Sequence, residues 1–319
     1  MKRQFLKTVV GLAAGLVIAA VGQPALAEYN PKLLRIGFQK SASLLTLLKA
    51  QGAVEKRLTA QGLEVKWVEF PAGPQLLEGL NVGAIDFGYV GEAPPVFAQA
   101  AGANFVYVGY EEPAPTAEAV LVPKGSAIKT VADLRGKKVA LNKGSNVHYL
   151  LVKLLEKNGL KYADIQPVFL PPADARAAFE RGSVDAWVIW DPYTAAAEKQ
   201  IEARILADGK GVVNNYAFFL AERDFASKRP EIISLLFEEL QKQGQWIIKN
   251  YPAAAAQLAP LQGLDPSVVE VSIRRYSNVV KPITDQVLAE QQKLADTFFD
   301  LKLIPKEIKV KDAALPGKR

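Results

Sequence analysis

The chain of 319 residues contains no cysteine, one histidine and one methionine. Without a thiol it cannot use a cysteine nucleophile, a thiolate metal site, an iron–sulfur cluster or a disulfide framework. The single histidine, His148, cannot supply an ordinary zinc site by itself, and the sequence has no carboxylates clustered at metal-ligand spacing. We therefore expect no metal and no cofactor, and a fold stabilised by packing.

The sequence also lacks a strong charge of one sign. It has 39 Lys and Arg against 33 Asp and Glu, a formal net charge of +6. Residues 1–27 hold three of the basic residues and none of the acidic ones, so the remainder carries +3, with both signs interspersed. This balance gives no electrostatic footprint for nucleic acid, and we expect no nucleic-acid partner.

Long hydrophobic runs are missing except at the N-terminus. Lys2, Arg3 and Lys7 precede an apolar stretch over residues 8–21, which is too short for a comfortable membrane span. Residues 25–27, Ala-Leu-Ala, form a small-x-small cleavage site. The pattern predicts a signal peptide over residues 1–27, cleaved after residue 27, and export to a bacterial periplasm. The alternative is an uncleaved anchor.

Catalytic motifs are absent as well. The sequence has no G-x-S-x-G elbow, no phosphate-binding glycine loop and no paired-acid signature. His148 has no motif partner that would make it a general base. These absences favour a protein that is not an enzyme.

An internal repeat is the main positive signal. Residues 36–43 are echoed by residues 139–146, and the Gly-x-x-Asp stretch at residues 83–87 is echoed at residues 182–186. The offset stays close to 100 residues. Each copy reads as a strand, a short polar turn and the start of a helix. The repeat predicts two similar α/β lobes that face each other across a cleft and grip a small ligand from both sides.

The order of elements gives the predicted fold class, an α/β protein with two doubly wound lobes. Strands alternate with helices at the spacing of a mainly parallel sheet. Residues 105–122 and 214–221 read as two crossings between lobes, which form a hinge. The expected organisation is lobe 1 at residues 28–113 and 217–319, and lobe 2 at residues 114–216. Predicted strands lie at 34–38, 65–70, 84–90 and 187–189, and predicted helices at 44–58, 75–80, 96–101, 145–158, 231–251, 266–275 and 284–300.

Four turns follow strand ends, where parallel sheets bind ligands. They are residues 39–43, 91–93, 142–146 and 190–191. Three of them run into a helix N-terminus, whose unpaired N–H groups and positive dipole end bind anions. Ser41, Ser145 and Asn146 add side-chain donors. The alternative is that these residues are ordinary N-caps, but their recurrence in both lobes favours ligand contact.

Other candidate residues flank these turns, each with an alternative role. Trp190 offers an apolar wall or is a core residue. Asp191 and Glu92 accept hydrogen bonds from a cation or from backbone N–H groups. Direct contact with an anion is not expected, because two negative charges repel each other. His148 touches an anion or has a structural role. Lys40 and Lys143 recur at equivalent positions, where a lysine is usually solvated.

Several segments resemble the aliphatic sulfonate-binding proteins of bacterial ABC importers, a group that also contains taurine, nitrate and sulfate-ester binders. They are residues 36–40, 68–75, 94–103, 129–134 and 173–193. The resemblance implies a type II periplasmic binding-protein fold, expected to be a monomer, that delivers alkanesulfonates to an inner-membrane permease. Two enzymes similar to this fold, a desulfinase and a thiamine-pyrimidine synthase, rely on cysteine, which this chain lacks.

The resemblance also implies a set of ligand contacts. Two positions depart from the pattern of the group: Glu92 stands where Asp is expected and Asn146 where Ser is expected, which puts the preferred ligand in question. A sulfonate has three acceptor oxygens and no proton at neutral pH, so it requires several donors at once. The implied contacts are Gln39, Ser41, Gly91, Glu92, Ala93, Ser145, Asn146 and His148, with Trp190 and Asp191 on the other wall.

Overall fold

The structure is a computed structural model that describes residues 30–315. The predicted signal peptide lies outside the described residues. No helix within residues 30–315 is long and apolar enough to cross a membrane. The strands are β1 (Leu33–Phe38), β2 (Glu64–Glu69), β3 (Phe87–Gly91), β4 (Phe105–Glu111), β5 (Glu118–Val122), β6 (Lys138–Leu141), β7 (Gln166–Phe169), β8 (Ala186–Trp190), β9 (Arg204–Asp208), β10 (Ala217–Glu222) and β11 (Val280–Pro282).

Helices cover the faces of the sheets and include the C-terminal helices expected from the sequence. They are α1 (Ser43–Gln51), α2 (Ala53–Thr59), α3 (Gly73–Asn81), α4 (Ala93–Ala100), α5 (Asn146–Lys157), α6 (Pro172–Glu180), α7 (Tyr193–Gln200), α8 (Arg223–Lys228), α9 (Pro230–Lys249), α10 (Tyr251–Gln262), α11 (Pro266–Arg275) and α12 (Asp285–Asp300). The single helix predicted over residues 44–58 is wrong, because Gly52 adopts φ 61° and separates α1 from α2.

The strands form two sheets with the same internal order. One sheet runs β2-β1-β3-β10-β4-β11, and the other runs β7-β6-β8-β5-β9. The two orders match position by position over five strands. The repeat seen in the sequence is therefore a repeat of topology.

Most strands of each sheet run in one direction, which agrees with the expected mainly parallel sheet, and β5, β10 and β11 run against them. Strands β1, β2 and β3 are parallel, as are β6, β7 and β8. In contrast, β10 runs antiparallel to β3 and β4, and β5 runs antiparallel to β8 and β9. The reason lies in the crossings: β5 and β10 each arrive from the other sheet through a short connection. A helical crossover would have placed them parallel.

The Gly-x-x-Asp echo anchors equivalent strands in both sheets. The Asp86 carboxylate accepts from the Arg35 backbone N–H at 2.7 Å, and Asp185 accepts from the Lys138 N–H at 2.8 Å. Each aspartate thereby fixes the start of the strand beside its own. The repeated motif is structural, and it sets the register that brings the C-terminal ends of β1, β3, β6 and β8 to the cleft.

Three large apolar clusters form the core. One lies between the six-stranded sheet and α1, α9 and α10, a second lies between that sheet and α3, α4 and α12, and the third fills the five-stranded lobe. Helices α9, α10 and α12 thus pack on the first lobe, as expected. Helix α11 instead reaches across, where Val268 packs against the small side chains of Ala195 and Ala196 on α7.

Candidate functional site

A cavity lies between the lobes where the predicted turns meet. Gln39, Ser41 and Gly91 line it from the first lobe, and Ser145, Asn146 and Trp190 line it from the second. Its volume is about 20 Å³, which is room for about one water. Any larger ligand therefore requires the lobes to separate and then close around it.

The lobes are in close contact at Gly91 and Asn146. A Cβ atom added to Gly91 would lie 2.8 Å from the Asn146 Oδ1 atom. The Asn146 amide donates to Glu118 at 2.6 Å and to Asn215 Oδ1 at 3.0 Å. Both amide protons are thus used inside the protein. A ligand in the cavity can meet the free backbone N–H of this first helical residue, not its side-chain donor.

The turn before α1 supplies the first-lobe donors. The Gln39 side chain donates one proton to the Tyr89 carbonyl at 3.0 Å, which holds the amide against the cavity and leaves a second N–H for a ligand. The Ser41 carbonyl accepts from the Ser43 N–H at 2.9 Å, which tightens the turn that opens the helix. Gln39 and Ser41 are both buried. Their donors therefore act where water does not compete.

Helix α5 supplies the second-lobe donors. The Ser145 hydroxyl donates to the Asn142 carbonyl at 2.7 Å, so it must rotate before it can donate to a ligand. The backbone N–H groups of the first turn need no such change and carry the positive end of the helix dipole. The first turn of α4, in contrast, contains Pro94 and Pro95, which have no N–H. The anion-binding capacity of the cavity thus rests mainly on the turn before α1 and on the N-terminus of α5.

Glu92 and Ala93 lie behind the cavity wall. The Glu92 carboxyl accepts from the Tyr216 N–H at 2.9 Å, while its Oε1 atom is buried without a partner. Burial raises the pKa of Glu92 to about 8. The side chain lines a separate polar cavity of about 260 Å³, bounded by Tyr149, Tyr216 and Glu290. Ala93 is fully buried. Glu92 therefore braces a hinge crossing, one of the two roles predicted for it.

His148 is buried and turned away from the cavity. The Gly144 N–H donates to Nδ1 at 3.3 Å, which places the proton on Nε2, 2.9 Å from the Tyr162 hydroxyl. The ring stacks on Phe97 of the opposite lobe with a centroid distance of 6.4 Å. Burial, and then the charge of Lys143, lower the pKa of His148 to about 4. The neutral ring is part of the contact between lobes.

Asp191 is fully buried, outside the cavity lining, and joins the two lobes. Its carboxylate accepts from the Ala195 N–H at 2.9 Å and from the Arg275 guanidinium at 3.3 Å. Arg275 also contacts Glu198 at 2.7 Å, and the Tyr276 hydroxyl donates to the Asp191 carbonyl at 3.0 Å. Burial raises the pKa of Asp191 to about 6, although Arg275 opposes this shift. Asp191 thus braces the closed arrangement.

The two candidate lysines do not line the cavity. The Lys40 ammonium donates to the Gln262 carbonyl at 3.1 Å, and the Gln262 amide returns a bond to the Lys40 carbonyl at 2.7 Å. The Lys143 ammonium lies over the Phe169 ring, 5.5 Å from its centroid. Among the described residues, the cavity lining contains no Lys or Arg.

Sequence reasoning missed several lining residues, above all Glu111. Its carboxyl accepts from the Tyr89 hydroxyl and from the Asn278 N–H, both at 2.8 Å. Burial raises the pKa of Glu111. Tyr276 and Asn215 also line the cavity. One signal in the sequence could have identified Glu111: the acidic pair at residues 111–112 lies between two apolar strands. This segment was assigned from the sequence only to a crossing between the lobes.

No group of three or more His, Cys, Asp or Glu within residues 30–315 is arranged to hold a metal ion. What the geometry offers is a small buried chamber with neutral donors, the N-terminus of α5 and an aromatic wall, closed by contacts between two lobes. That chemistry suits capture of an anion.

Comparison with known proteins gives consistent matches. The family profile described as NMT1/THI5 like matches residues 40–255. A protein of Escherichia coli (strain K12) described as "Putative aliphatic sulfonates-binding protein" is 43% identical over 307 residues, 96% of either chain. The solved alkanesulfonate-binding protein of Xanthomonas axonopodis pv. citri, bound to MOPS, matches with a TM-score of 0.86 and 44% identity over 91% of this chain and 100% of that one. The periplasmic aliphatic sulphonate binding protein of Escherichia coli matches with a TM-score of 0.81 and 45% identity over 89% of this chain and 98% of that one.

Proposed function

We propose that this chain, which belongs to the NMT1/THI5-like family and within it to the aliphatic sulfonate-binding proteins, captures alkanesulfonates between its lobes and delivers them to an ABC importer for sulfur acquisition. It is a binding protein, not an enzyme. The permease of that importer is its expected partner. Export to the periplasm, cleavage after residue 27, a monomeric state and lobe boundaries at residues 113/114 and 216/217 belong to the same proposal.

The observation that carries this proposal is that Gln39 and Ser41, in the turn before α1, and the N-terminus of α5 line one cavity, whose described lining residues include no lysine or arginine. A sulfonate stays ionised across the physiological range and has only acceptor oxygens. Backbone N–H groups at the start of α5, with the free N–H of the Gln39 side chain, satisfy such an anion without a formal counter-charge. Hydrogen bonds to a charged group contribute about 1.5–3 kcal/mol each.

The ten predicted contact residues divide into two groups under this proposal. The residues in direct contact are Gln39, Ser41, Gly91, Ser145, Asn146 and Trp190. The supporting residues are Glu92, Ala93, His148 and Asp191, which hold the hinge and the closed lobes. Release of the ligand follows from separation of the lobes, which removes one helix N-terminus from the anion.

A second candidate ligand is taurine, and one observation favours it. Glu111 and Glu112 both line the cavity. A carboxylate beside a sulfonate costs Coulomb energy, whereas an ammonium on the same ligand would gain from it. Glu112 already pairs with Lys281, and burial raises the pKa of Glu111 toward the neutral form. These two facts reduce the benefit for an ammonium and leave the alkanesulfonate as the main proposal.

The test is the thermal stability of the purified protein with ethane-, propane-, butane-, hexane- and octanesulfonate, taurine, nitrate and sulfate. A ligand at 100 times its Kd that binds only the folded state adds about 2.7 kcal/mol. We expect clear upward shifts with the alkanesulfonates and a smaller shift with taurine than with propanesulfonate, its match in size. A shift with taurine, nitrate or sulfate alone would replace the proposed ligand, and no shift with any of them would contradict the anion site.

A further inference from the structure

An apolar groove runs along the first lobe beside the cavity. It lies between α3 and α4 and has a volume of about 190 Å³. Each helix lines it with residues at the same spacing. They are Pro74, Leu77, Glu78 and Asn81 on α3, and Pro94, Phe97 and Ala98 on α4 with Ala101, which follows α4 directly. Positions i, i+3, i+4 and i+7 share one face of a helix. Two facing stripes therefore form a channel about 10 Å long, at a rise of 1.5 Å per residue.

The groove begins where the cavity ends. Pro94 lines both of them, and of two consecutive residues Gly73 lines the cavity and Pro74 lines the groove. A Cβ atom on Gly73 would lie 2.7 Å from the Pro94 Cγ atom. The absence of a side chain at Gly73 thus lets the two helix starts approach each other at the junction. Gly73 and Pro94 are thus in direct contact, so an alkyl chain that leaves the cavity must pass over this contact to enter the groove.

The groove is mainly apolar, whereas the other neighbouring cavity is polar. The cavity of about 260 Å³ behind the hinge contains the carboxyls of Glu92 and Glu290 and the Tyr149 and Tyr216 rings. Burying methylene groups against an unpaired carboxyl gains little. The helix groove instead presents proline, leucine, phenylalanine and alanine side chains, with Glu78 and Asn81 on its exposed part. Its chemistry matches an unbranched hydrocarbon.

We propose that the groove between α3 and α4 is the subsite for the aliphatic tail of the sulfonate, and that it sets the preferred chain length. The inference rests on the proposed function, since the head group must lie in the cavity. The length of the groove, about 10 Å, limits how many methylenes can lie along it. Phe97, which also stacks on His148 of the second lobe, closes over the tail when the lobes meet.

The first test is calorimetric affinity across the linear series from methane- to decanesulfonate. Burial of one methylene strengthens binding about fourfold. We expect this increment to continue while the added methylenes lie within the groove and then to stop. A flat series with measurable methanesulfonate binding would overturn the tail subsite and leave the proposed function intact. No binding by any member would overturn the proposed function itself.

Two variants test whether the gain in affinity per methylene arises in the groove. Ala98→Trp fills the middle of the groove, and Ala101→Trp fills its far end. We expect methanesulfonate affinity to stay within twofold of the original protein in both, with the increment ending earlier in Ala98→Trp than in Ala101→Trp. Ala256→Trp, at an exposed alanine of α10 far from the groove, is the matched control. A chain-length series that is identical in Ala98→Trp and the control would overturn the inference and indicate that the groove receives a different occupant.

Discussion

A single methyl group at Gly91 tests whether contact between the lobes is part of binding. In Gly91→Ala, the new Cβ atom would lie 2.8 Å from the Asn146 Oδ1 atom and 3.1 Å from its Cβ atom. Rotation of the Asn146 side chain cannot relieve both contacts, because Cβ is fixed to the backbone. The amide is also held from its other side by Glu118 and Asn215. The lobes must therefore stay apart, or Asn146 must lose these bonds.

The expected loss of affinity follows from the hydrogen bonds that Asn146 would lose. Loss of the two hydrogen bonds of the Asn146 amide costs about 1–3 kcal/mol. The clash exists only when the lobes meet, so this energy opposes closure and not folding. We expect butanesulfonate to bind Gly91→Ala roughly 5- to 150-fold more weakly, while the melting temperature without ligand changes by only a few degrees.

The assay is isothermal titration calorimetry with butanesulfonate on the two proteins at equal ionic strength. Gly125→Ala is the matched control, because a Cβ atom there meets nothing within 4 Å. The control should bind as the unsubstituted protein does. Equal affinity in Gly91→Ala and Gly125→Ala would refute the reasoning that the two lobes close at this point around the ligand.

Three further variants test the supporting residues by their stability. Burial raises the pKa of Glu92 to about 8 from 4.5, so between these pH values the folded protein keeps a proton that the unfolded chain releases. The free energy of unfolding should therefore fall by about 1.4 kcal/mol for each unit that the pH rises from 4.5 to 8. Urea unfolding should show a smaller fall in Glu92→Gln. Burial lowers the pKa of His148 to about 4 from 6.5, so stability should fall as pH drops from 6.5 to 4, and His148→Phe should reduce the difference between melts at pH 5 and pH 7. Arg275→Gln leaves Asp191 buried without its cation and should lower stability by about 3 kcal/mol, whereas an unchanged chemical melt would exclude this ion pair as a brace.

The repeat made most of the architecture predictable. Its strand, turn and helix segments lie at equivalent positions in the two sheets, and the Gly-x-x-Asp echo gave Asp86 and Asp185 the same role in each. Six of the ten predicted contact residues line the cavity, since residues that follow parallel strands are brought to one sheet edge whatever their tertiary packing.

The rest depended on information that local patterns lack. The apolar strands β5 and β10 look the same whether they enter a sheet parallel or antiparallel, so only the crossings reveal their direction. The side of a helix that faces a cavity depends on its rotation against the other lobe, which is why His148 could not be assigned. Glu111 was missed because a buried acid at a strand end reads from the sequence as a break in the strand.

The central claim is that an alkanesulfonate head lies between the turn before α1 and the N-terminus of α5. A crystal structure of the complex with butanesulfonate tests it most directly. We expect sulfonate oxygens within hydrogen-bond distance of the Gln39 amide and of the backbone N–H groups of Asn146 and Val147, with Trp190 against the ligand. A sulfonate found instead in the polar cavity beside Glu92, or held by lysine or arginine side chains on the surface, would contradict it.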